Sequence, residues 1–219
     1  MPLDARLRQR LEQALGVVDD HGTAGPRLLD DALRLWQRVE TLVSMNLVPA
    51  EGLDRDALEL ACYSLQLPLR RSRTLPTGKP QRSTVRERAE ESAELLLGVA
   101  GTDTDELLLD RAARLLHEMP HRSPMLDEAR LLADAVNLDD FGVLGVGLQI
   151  IQLARQGEGV RQIAERCEAR ELYGYWEARL KDGFHFEAVR QIAEKRLESA
   201  RLVCSLLIAE LREDEPPAP

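Results

Sequence analysis

Few side chains in this chain have the chemistry to bind a metal ion or a phosphate. The 219 residues include four histidines and three cysteines. His117 and His121 have the four-residue spacing that places two imidazoles on one helix face, although Pro120 lies between them and ends a helix. We treat both as candidate phosphate, partner or metal ligands. The alternative is a helix C-terminus, where the helix dipole favours a protonated histidine.

A second candidate group is a run of basic residues in an otherwise acidic chain. Residues 69–83 contain two prolines, a glycine and five cations, which are Arg70, Arg71, Arg73, Lys79 and Arg82. The prolines and the glycine predict a long loop. Arginines pair well with phosphate and carboxylate groups, so Arg70, Arg71 and Arg73 are candidate contacts to a phosphorylated ligand or an acidic partner. The alternative is a solvated loop without a ligand.

Overall charge and the absence of targeting segments limit the function classes. Lys and Arg number 29 against 38 Asp and Glu, which gives a net charge of −9. That excess of acid argues against general binding to nucleic acid or to an anionic membrane. We find no signal peptide and no apolar run of membrane-spanning length, and Cys62, Cys167 and Cys204 lie in separate apolar helical patterns. The sequence therefore predicts a cytoplasmic protein with reduced, buried thiols.

The composition and the spacing of apolar residues predict helices throughout. Leu, Ala, Glu and Arg, which are strong helix formers, predominate, whereas aromatic residues are only 4%. Apolar residues recur at helical spacing, and we find no alternating pattern of the strand type. We predict an all-α helical bundle forming a single domain over residues 1–213. Residues 1–25 supply an N-terminal helix and connector, and residues 214–219 a flexible tail.

Local signals predict where several helices begin and end. Asp54 is a candidate N-cap, and Thr84 with Glu87 has the spacing of a capping box. Pro120 ends one helix, and Ser123-Pro124 is predicted to begin the next. Asp139 and Asp140 are predicted to cap the helix after them.

The apolar patterns also predict the core. The segment from Val143 to Leu153 is apolar nearly all round, so we expect it to be the most buried helix. The predicted core residues are Trp36, Leu65, Leu132, Val136, Leu144, Leu148 and Ile192.

The segment from Glu128 to Ile151, EARLLADAVNLDDFGVLGVGLQII, resembles the last signature of the HD-domain superfamily of metal-dependent phosphohydrolases. The positions that match are Glu128, Asp134, Ala135, Leu138, Asp139, Gly142 and Gly145. The C-terminal segment is similar to the closing helix of that family at Ile192, Ala193 and Arg196. The resemblance implies the HD fold, in which histidines and aspartates hold a divalent metal that activates water for attack on phosphate.

The first half of the chain departs from the pattern of that family. Asp31 stands where the family has its upstream histidine, and Leu65-Gln66 stand where it has the His-Asp doublet. Of the four expected ligands only Asp134 remains. Buried without a metal, its carboxylate would need a cation, and Arg70 or Arg71 is the predicted partner.

These departures predict a catalytically degenerate HD-domain protein that works by binding or regulation, with no metal or other cofactor. The vestigial pocket would consist of Asp31, Leu65, Gln66 and Asp134. Its partner would be an unknown protein or a small phosphorylated ligand, and the sequence leaves the oligomeric state open. The alternative is a divergent metal-dependent phosphohydrolase acting on nucleotides or phosphomonoesters, with Mg²⁺ or Mn²⁺ at low occupancy on Asp31, Gln66 and Asp134.

Overall fold

Helices form wherever the apolar pattern has a helical period. The computed structural model describes residues 3–16, 27–70, 84–155 and 157–213. These ranges contain ten α-helices, two short 3₁₀ helices and no strand, and 79% of their residues are helical. The all-α prediction is therefore confirmed. In the same ranges no helix is long and apolar enough to cross a membrane.

The contacts divide the chain into two compact units, of which the first ends at Ala135 and the second begins at Val136. We describe each unit by itself, and the single domain stays a prediction. The predicted tail at 214–219 lies outside the described residues, as do Arg71, Arg73, Lys79 and Arg82 of the basic segment.

The first unit contains six helices, the last of which extends past its boundary. They are α1 (Ala5–Leu15), α2 (Arg27–Ser44), α3 (Arg55–Ser64), α4 (Val85–Ala100), α5 (Glu106–Glu118) and α6 (Asp127–Asn137). A 3₁₀ helix, Leu67–Arg70, follows α3. Helix α3 packs against α2, α4 and α5, and every residue from 57 to 68 is buried. The centre of this unit is therefore α3 with the turn that follows it.

The capping signals explain most of the helix starts in this unit. The Asp54 carboxylate accepts the backbone N–H of Ala57, and Thr84 and Glu87 form the predicted capping box. Helix α6 differs from the prediction, because it begins at Asp127 and not at Ser123-Pro124. The preceding backbone N–H groups, those of residues 125 and 126, are instead bound by the Glu118 carboxylate.

The second unit contains the end of α6, a 3₁₀ helix at Leu138–Asp140 and four α-helices. These are α7 (Gly142–Arg155), α8 (Val160–Leu172), α9 (Tyr175–Asp182) and α10 (Glu187–Glu213), and α10 packs against the other three. The sequence did not predict α9, since its pattern is short and polar. Asp140, predicted as a cap, instead accepts hydrogen bonds from Arg179 Nη2 at 2.8 Å and Tyr175 Oη at 3.1 Å.

The prediction that the helix from Val143 to Leu153 is the most buried is wrong. Helix α7 exposes Val143, Leu144 and Ile151, with 56%, 43% and 46% of each residue accessible. A helix that is apolar all round has no polar face to mark the solvent side, so its pattern does not show which side is covered.

The predicted core was correct only in part. Leu65 and Leu132 are fully buried, whereas Leu144 is exposed. The other four predicted core residues are half-buried, namely Trp36, Val136, Leu148 and Ile192.

Candidate functional site

Asp31 lies on α2 and is already engaged by two arginines. Arg34 Nη2 donates a hydrogen bond to its Oδ1 at 3.0 Å, and Arg27 Nη1 lies 3.9 Å from its Oδ2. Both arginines are on the same helix, one turn before and one turn after the aspartate. The position at which the resemblance predicts a histidine ligand therefore holds a carboxylate in a local ion-pair cluster.

Leu65 and Gln66 follow the end of α3, in the most buried part of the first unit. Leu65 is fully buried and caps the helix, with its N–H donated to the carbonyl of Ala61 at 3.1 Å. The Gln66 N–H is donated to the carbonyl of Tyr63 at 3.1 Å, and the Gln66 carbonyl accepts the N–H of Leu69. This turn is held by its own backbone hydrogen bonds, so its conformation requires no metal.

Asp134 lies on α6 and is fully buried. A neighbouring cation comes from α2, where Arg38 Nη1 donates a hydrogen bond to the carbonyl of Ala135 at 3.0 Å. Arg38 was not among the arginines that the sequence indicated as candidates. The sequence could have indicated Arg38 only through its position on α2, because the helical spacing places it beside the buried Leu35, Val39 and Leu42.

The side chains at these four positions do not fit a transition-metal centre. Leu65 has no lone pair, Gln66 offers only a neutral amide oxygen, and the Asp31 carboxylate is engaged by Arg27 and Arg34. Asp134 alone is too weak a donor set to retain a metal against water. Across the described ranges, no three His, Cys, Asp or Glu side chains are grouped to hold a metal ion. The residues at these positions therefore do not fit the metal that the resemblance implies.

The two candidate histidines are both exposed. His117 lies in the last turn of α5, and His121 follows the end of that helix, with its N–H donated to the carbonyl of Glu118 at 2.9 Å. The Glu118 carboxylate accepts backbone N–H groups from Leu126 and Met125 and a side-chain hydrogen bond from Arg114. Desolvation raises the pKa of Glu118, but these hydrogen bonds outweigh it and lower that pKa below its usual value. The carboxylate of Glu118 therefore holds the backbone of this turn in place.

Of the three basic-segment candidates, only Arg70 falls within the described residues. It ends the 3₁₀ helix Leu67–Arg70 and is exposed. Arg71 and Arg73 lie outside the described residues. The pairing of Asp134 with Arg70 or Arg71 stays a prediction.

The first unit also contains a cleft of about 780 Å³, which the sequence did not predict. It is open on one side and lies where α1 and α2 face the start of α3. Its polar lining comprises Arg8, Glu40, Asp54, Arg55, Asp56 and Glu59, and its aromatic surface is that of Trp36. The one sequence signal was Glu59, a carboxylate inside the apolar run LELACYSL.

Charges in the cleft are paired and partly desolvated. Arg8 Nη2 lies 2.6 Å from Glu59 Oε1, and Arg55 pairs with Glu40. Burial raises the pKa of Glu59, because desolvation outweighs the stabilising charge and hydrogen bond of Arg8. The cleft can accept a small polar molecule against its indole and its charged rim, and its carboxylates outnumber its arginines.

Comparison with known proteins supports the fold alone. No family model matches the sequence, and no curated protein matches it. Among solved structures the chain is similar to Bacillus subtilis YpgQ in its selenomethionine form, with a TM-score of 0.56 and 19% identity over 96% of this chain and 98% of that one. It is equally similar to Bacillus subtilis YpgQ in complex with ADP, with a TM-score of 0.56 and 19% identity over 97% and 94%.

Proposed function

We propose that this chain is a catalytically degenerate HD-domain protein that acts by binding a partner or a ligand and does not hydrolyse phosphate esters. The observation that carries the proposal is the chemistry at the expected ligand positions. Leu65 is a buried hydrocarbon, and Asp31 is held by two arginines. Metal activation of water needs several oriented donors and an open coordination position. One buried aspartate does not provide them.

The class of ligand is suggested by the structural neighbour. YpgQ has been crystallised in complex with ADP, so ADP is the first probe for a small phosphorylated ligand. In this chain the surviving buried acid of the resemblance is Asp134, and the exposed candidates for a phosphate contact are Arg70, His117 and His121. All three side chains can donate hydrogen bonds to a phosphate that arrives from solvent, without a metal to bridge them.

A second candidate function is a divergent phosphohydrolase acting on nucleotides. It is favoured by the ADP complex of YpgQ and by the fully buried Asp134. In this alternative Asp31 would leave its two arginines and join Gln66 and Asp134 as oxygen ligands of Mg²⁺ or Mn²⁺.

The two functions are separated by metal analysis and activity of the full chain. The protein is purified without chelator, its metal content is measured, and phosphate release from ADP is assayed with added Mn²⁺ or Mg²⁺. We expect no stoichiometric transition metal, no release above background, and a melting temperature that ADP raises more than adenosine does.

The matched variants are Asp134→Ala and Asp127→Ala, because both acids lie on α6, Asp134 is fully buried and the side chain of Asp127 is 44% exposed. Near one metal per chain, or turnover that Asp134→Ala abolishes and Asp127→Ala retains, would establish the hydrolase. If there were neither turnover nor an ADP-dependent change in melting temperature, the binding partner would be a protein. That partner would then be sought by co-purification.

A further inference from the structure

The cleft at the start of α3 lies apart from the positions at which the resemblance predicts metal ligands. Its described lining comes from α1, from the second half of α2 and from residues 52–59. That lining includes none of Asp31, Leu65, Gln66 and Asp134. The volume of the cleft, about 780 Å³, is within the range of about 300–1,000 Å³ that is usual for small-molecule sites. The cleft is therefore a candidate binding site separate from the vestigial pocket.

Negative charge predominates among the described residues that line this cleft. They include four carboxylates and two arginines. Both arginines are already engaged. Arg8 Nη2 lies 2.6 Å from Glu59 Oε1, and on the opposite side of α3 from this pair no further cation is needed for Glu40, which pairs with Arg55. The two ion pairs leave two carboxylates of the lining without a cation.

The two remaining carboxylates are those of Asp54 and Asp56, at the N-terminal end of α3. Asp54 Oδ1 accepts the backbone N–H of Ala57 at 2.9 Å. Within the described ranges, the Asp56 carboxylate accepts no hydrogen bond, and neither aspartate forms an ion pair. The dipole of α3 stabilises both charges in part. A cation that entered the cleft would therefore meet two carboxylates that no described arginine neutralises.

A third carboxylate, that of Glu59, has one oxygen in use and one without a partner. The side chain is only 6% exposed, and its Oε1 accepts a hydrogen bond from Arg8 Nη2. No residue of the described ranges donates a hydrogen bond to its Oε2. Burial raises the pKa of Glu59, Arg8 lowers it, and the negative charges of Asp56 and Glu40 raise it further. A buried carboxylate in this situation is stabilised by a second donor, most strongly by a charged one.

The half-buried Trp36 of α2 adds an aromatic surface to the lining. Among side chains, the indole ring attracts cations most strongly, and it also packs against apolar groups. We propose that the cleft binds a small organic cation, namely an ammonium or amidinium group attached to an apolar ring or chain. The N–H groups of the cation donate to Glu59 Oε2 and to the Asp56 carboxylate, and the apolar part lies against Trp36. An anion would meet the excess of carboxylates and two arginines that are already paired.

The test measures how the charge of a ligand affects its binding to the full chain. Benzamidine, benzamide and benzoate each have one phenyl ring and are cationic, neutral and anionic near neutral pH. The indole N–H signals of the two tryptophans are followed by NMR during each titration, and Trp36→Phe assigns the Trp36 signal. We expect benzamidine to shift that signal with a Kd of about 1 mM and to bind about tenfold more tightly than benzamide. Phenethylammonium, a second cation, should also shift it, and benzoate should not.

Matched variants locate the bound cation. Glu59→Gln should weaken benzamidine binding about tenfold, and Asp56→Asn about threefold, because Asp56 is the more exposed of the two acids. Asp110→Asn removes an exposed carboxylate of α5 outside the lining and should leave the affinity unchanged.

The ligand series on the wild-type chain decides the question even if a variant fails to fold. Tighter binding of benzoate than of benzamidine would assign the cleft to anions and overturn the proposal. Equal binding of the three ligands, no binding of either cation at about 10 mM, or equal losses of affinity in Asp56→Asn and Asp110→Asn would each overturn it as well.

Discussion

Replacing Arg111 by methionine should destabilise the first unit by removing the cation that compensates a buried carboxylate. Glu128 on α6 has a side chain only 4% exposed, and its Oε1 accepts a hydrogen bond from Arg111 Nη2 of α5 at 2.5 Å. The same oxygen accepts the backbone N–H of Asp54, the N-cap of α3, at 3.3 Å. One carboxylate thus connects three helices, and Arg111 is the cation paired with it.

The magnitude follows from the burial of the two partners. Breaking a fully buried ion pair from one side costs about 3–5 kcal/mol, because the remaining charge is left without compensation. The Arg111 side chain is 29% exposed, so water can enter on its side and reduces the expected cost to about 2–3 kcal/mol. In the Arg111→Met background, Glu128→Gln should regain about 1 kcal/mol, since it removes the uncompensated charge.

The assay is urea denaturation followed by far-UV circular dichroism, with the slopes compared between variants. The matched control is Arg130→Met, which removes an arginine that binds Asp127 on the surface of α6 at 3.2 Å, with both side chains more than 40% exposed, and the carbonyl of Pro124 at 3.1 Å. That change should cost less than about 1 kcal/mol. Equal costs for Arg111→Met and Arg130→Met would refute the assignment of Glu128 as a buried charge compensated by Arg111.

Three further predictions concern the cleft, the packing of Phe141 against the rings of Trp176 and Phe184, and the start of α7. Because the pKa of Glu59 is raised in the folded chain, ionisation of this carboxyl opposes folding. The melting temperature of Glu59→Gln should therefore increase relative to that of the wild type as pH rises above 4.5. A difference between the two melting temperatures that does not change with pH would contradict this. Phe141 is 1% exposed, and its ring centroid lies 5.4 Å from that of Trp176 and 5.4 Å from that of Phe184. Phe141→Ala should therefore lower the free energy of unfolding, measured in urea, by about 3–5 kcal/mol. A Cβ at Gly145 would lie 2.5 Å from the carbonyl of Asp140, so Gly145→Ala should destabilise by about 1–3 kcal/mol. In the same helix, a Cβ at Gly147 would have no atom within 4 Å, so Gly147→Ala should stabilise by about 0.5–1 kcal/mol. If both variants changed the free energy of unfolding in the same direction, this description of the packing would be wrong.

The helices could be predicted because their signals are local. A capping box at Thr84 and Glu87 and an N-cap at Asp54 need only adjacent backbone, so the structure confirms both. Burial is not local. Helix α7 is apolar on every side, and only its packing against α10 determines that Leu144 faces solvent. The start of α6 was misplaced for the same reason, since its cap comes from Glu118 of the preceding helix.

In the candidate site, too, local features could be predicted from the sequence, whereas contacts between distant parts of the chain could not. The residue types alone showed that Leu65 cannot be a ligand, because that is a matter of lone pairs. The two arginines that bind Asp31 lie one helical turn before and one turn after it. Residues at such spacings are neighbours on a helix surface, so these ion pairs could have been predicted from the sequence. The cleft around Trp36, in contrast, depends on elements from three parts of the chain. No local pattern carries such information.

Several residues that match the HD-domain pattern have a structural explanation without a metal. Glu128 compensates Arg111 and holds the N-terminus of α3. Gly142 adopts a φ of +83°, and the Arg196 side chain lies 3.3 Å from the position that a Cβ at Gly142 would occupy. Gly145 allows the helix to approach the backbone of residues 139 and 140. These positions determine how helices pack, which requires no metal ligand. The resemblance therefore holds at positions that pack helices and fails at the positions expected to bind a metal, the distribution that our proposal of a degenerate HD-domain protein requires.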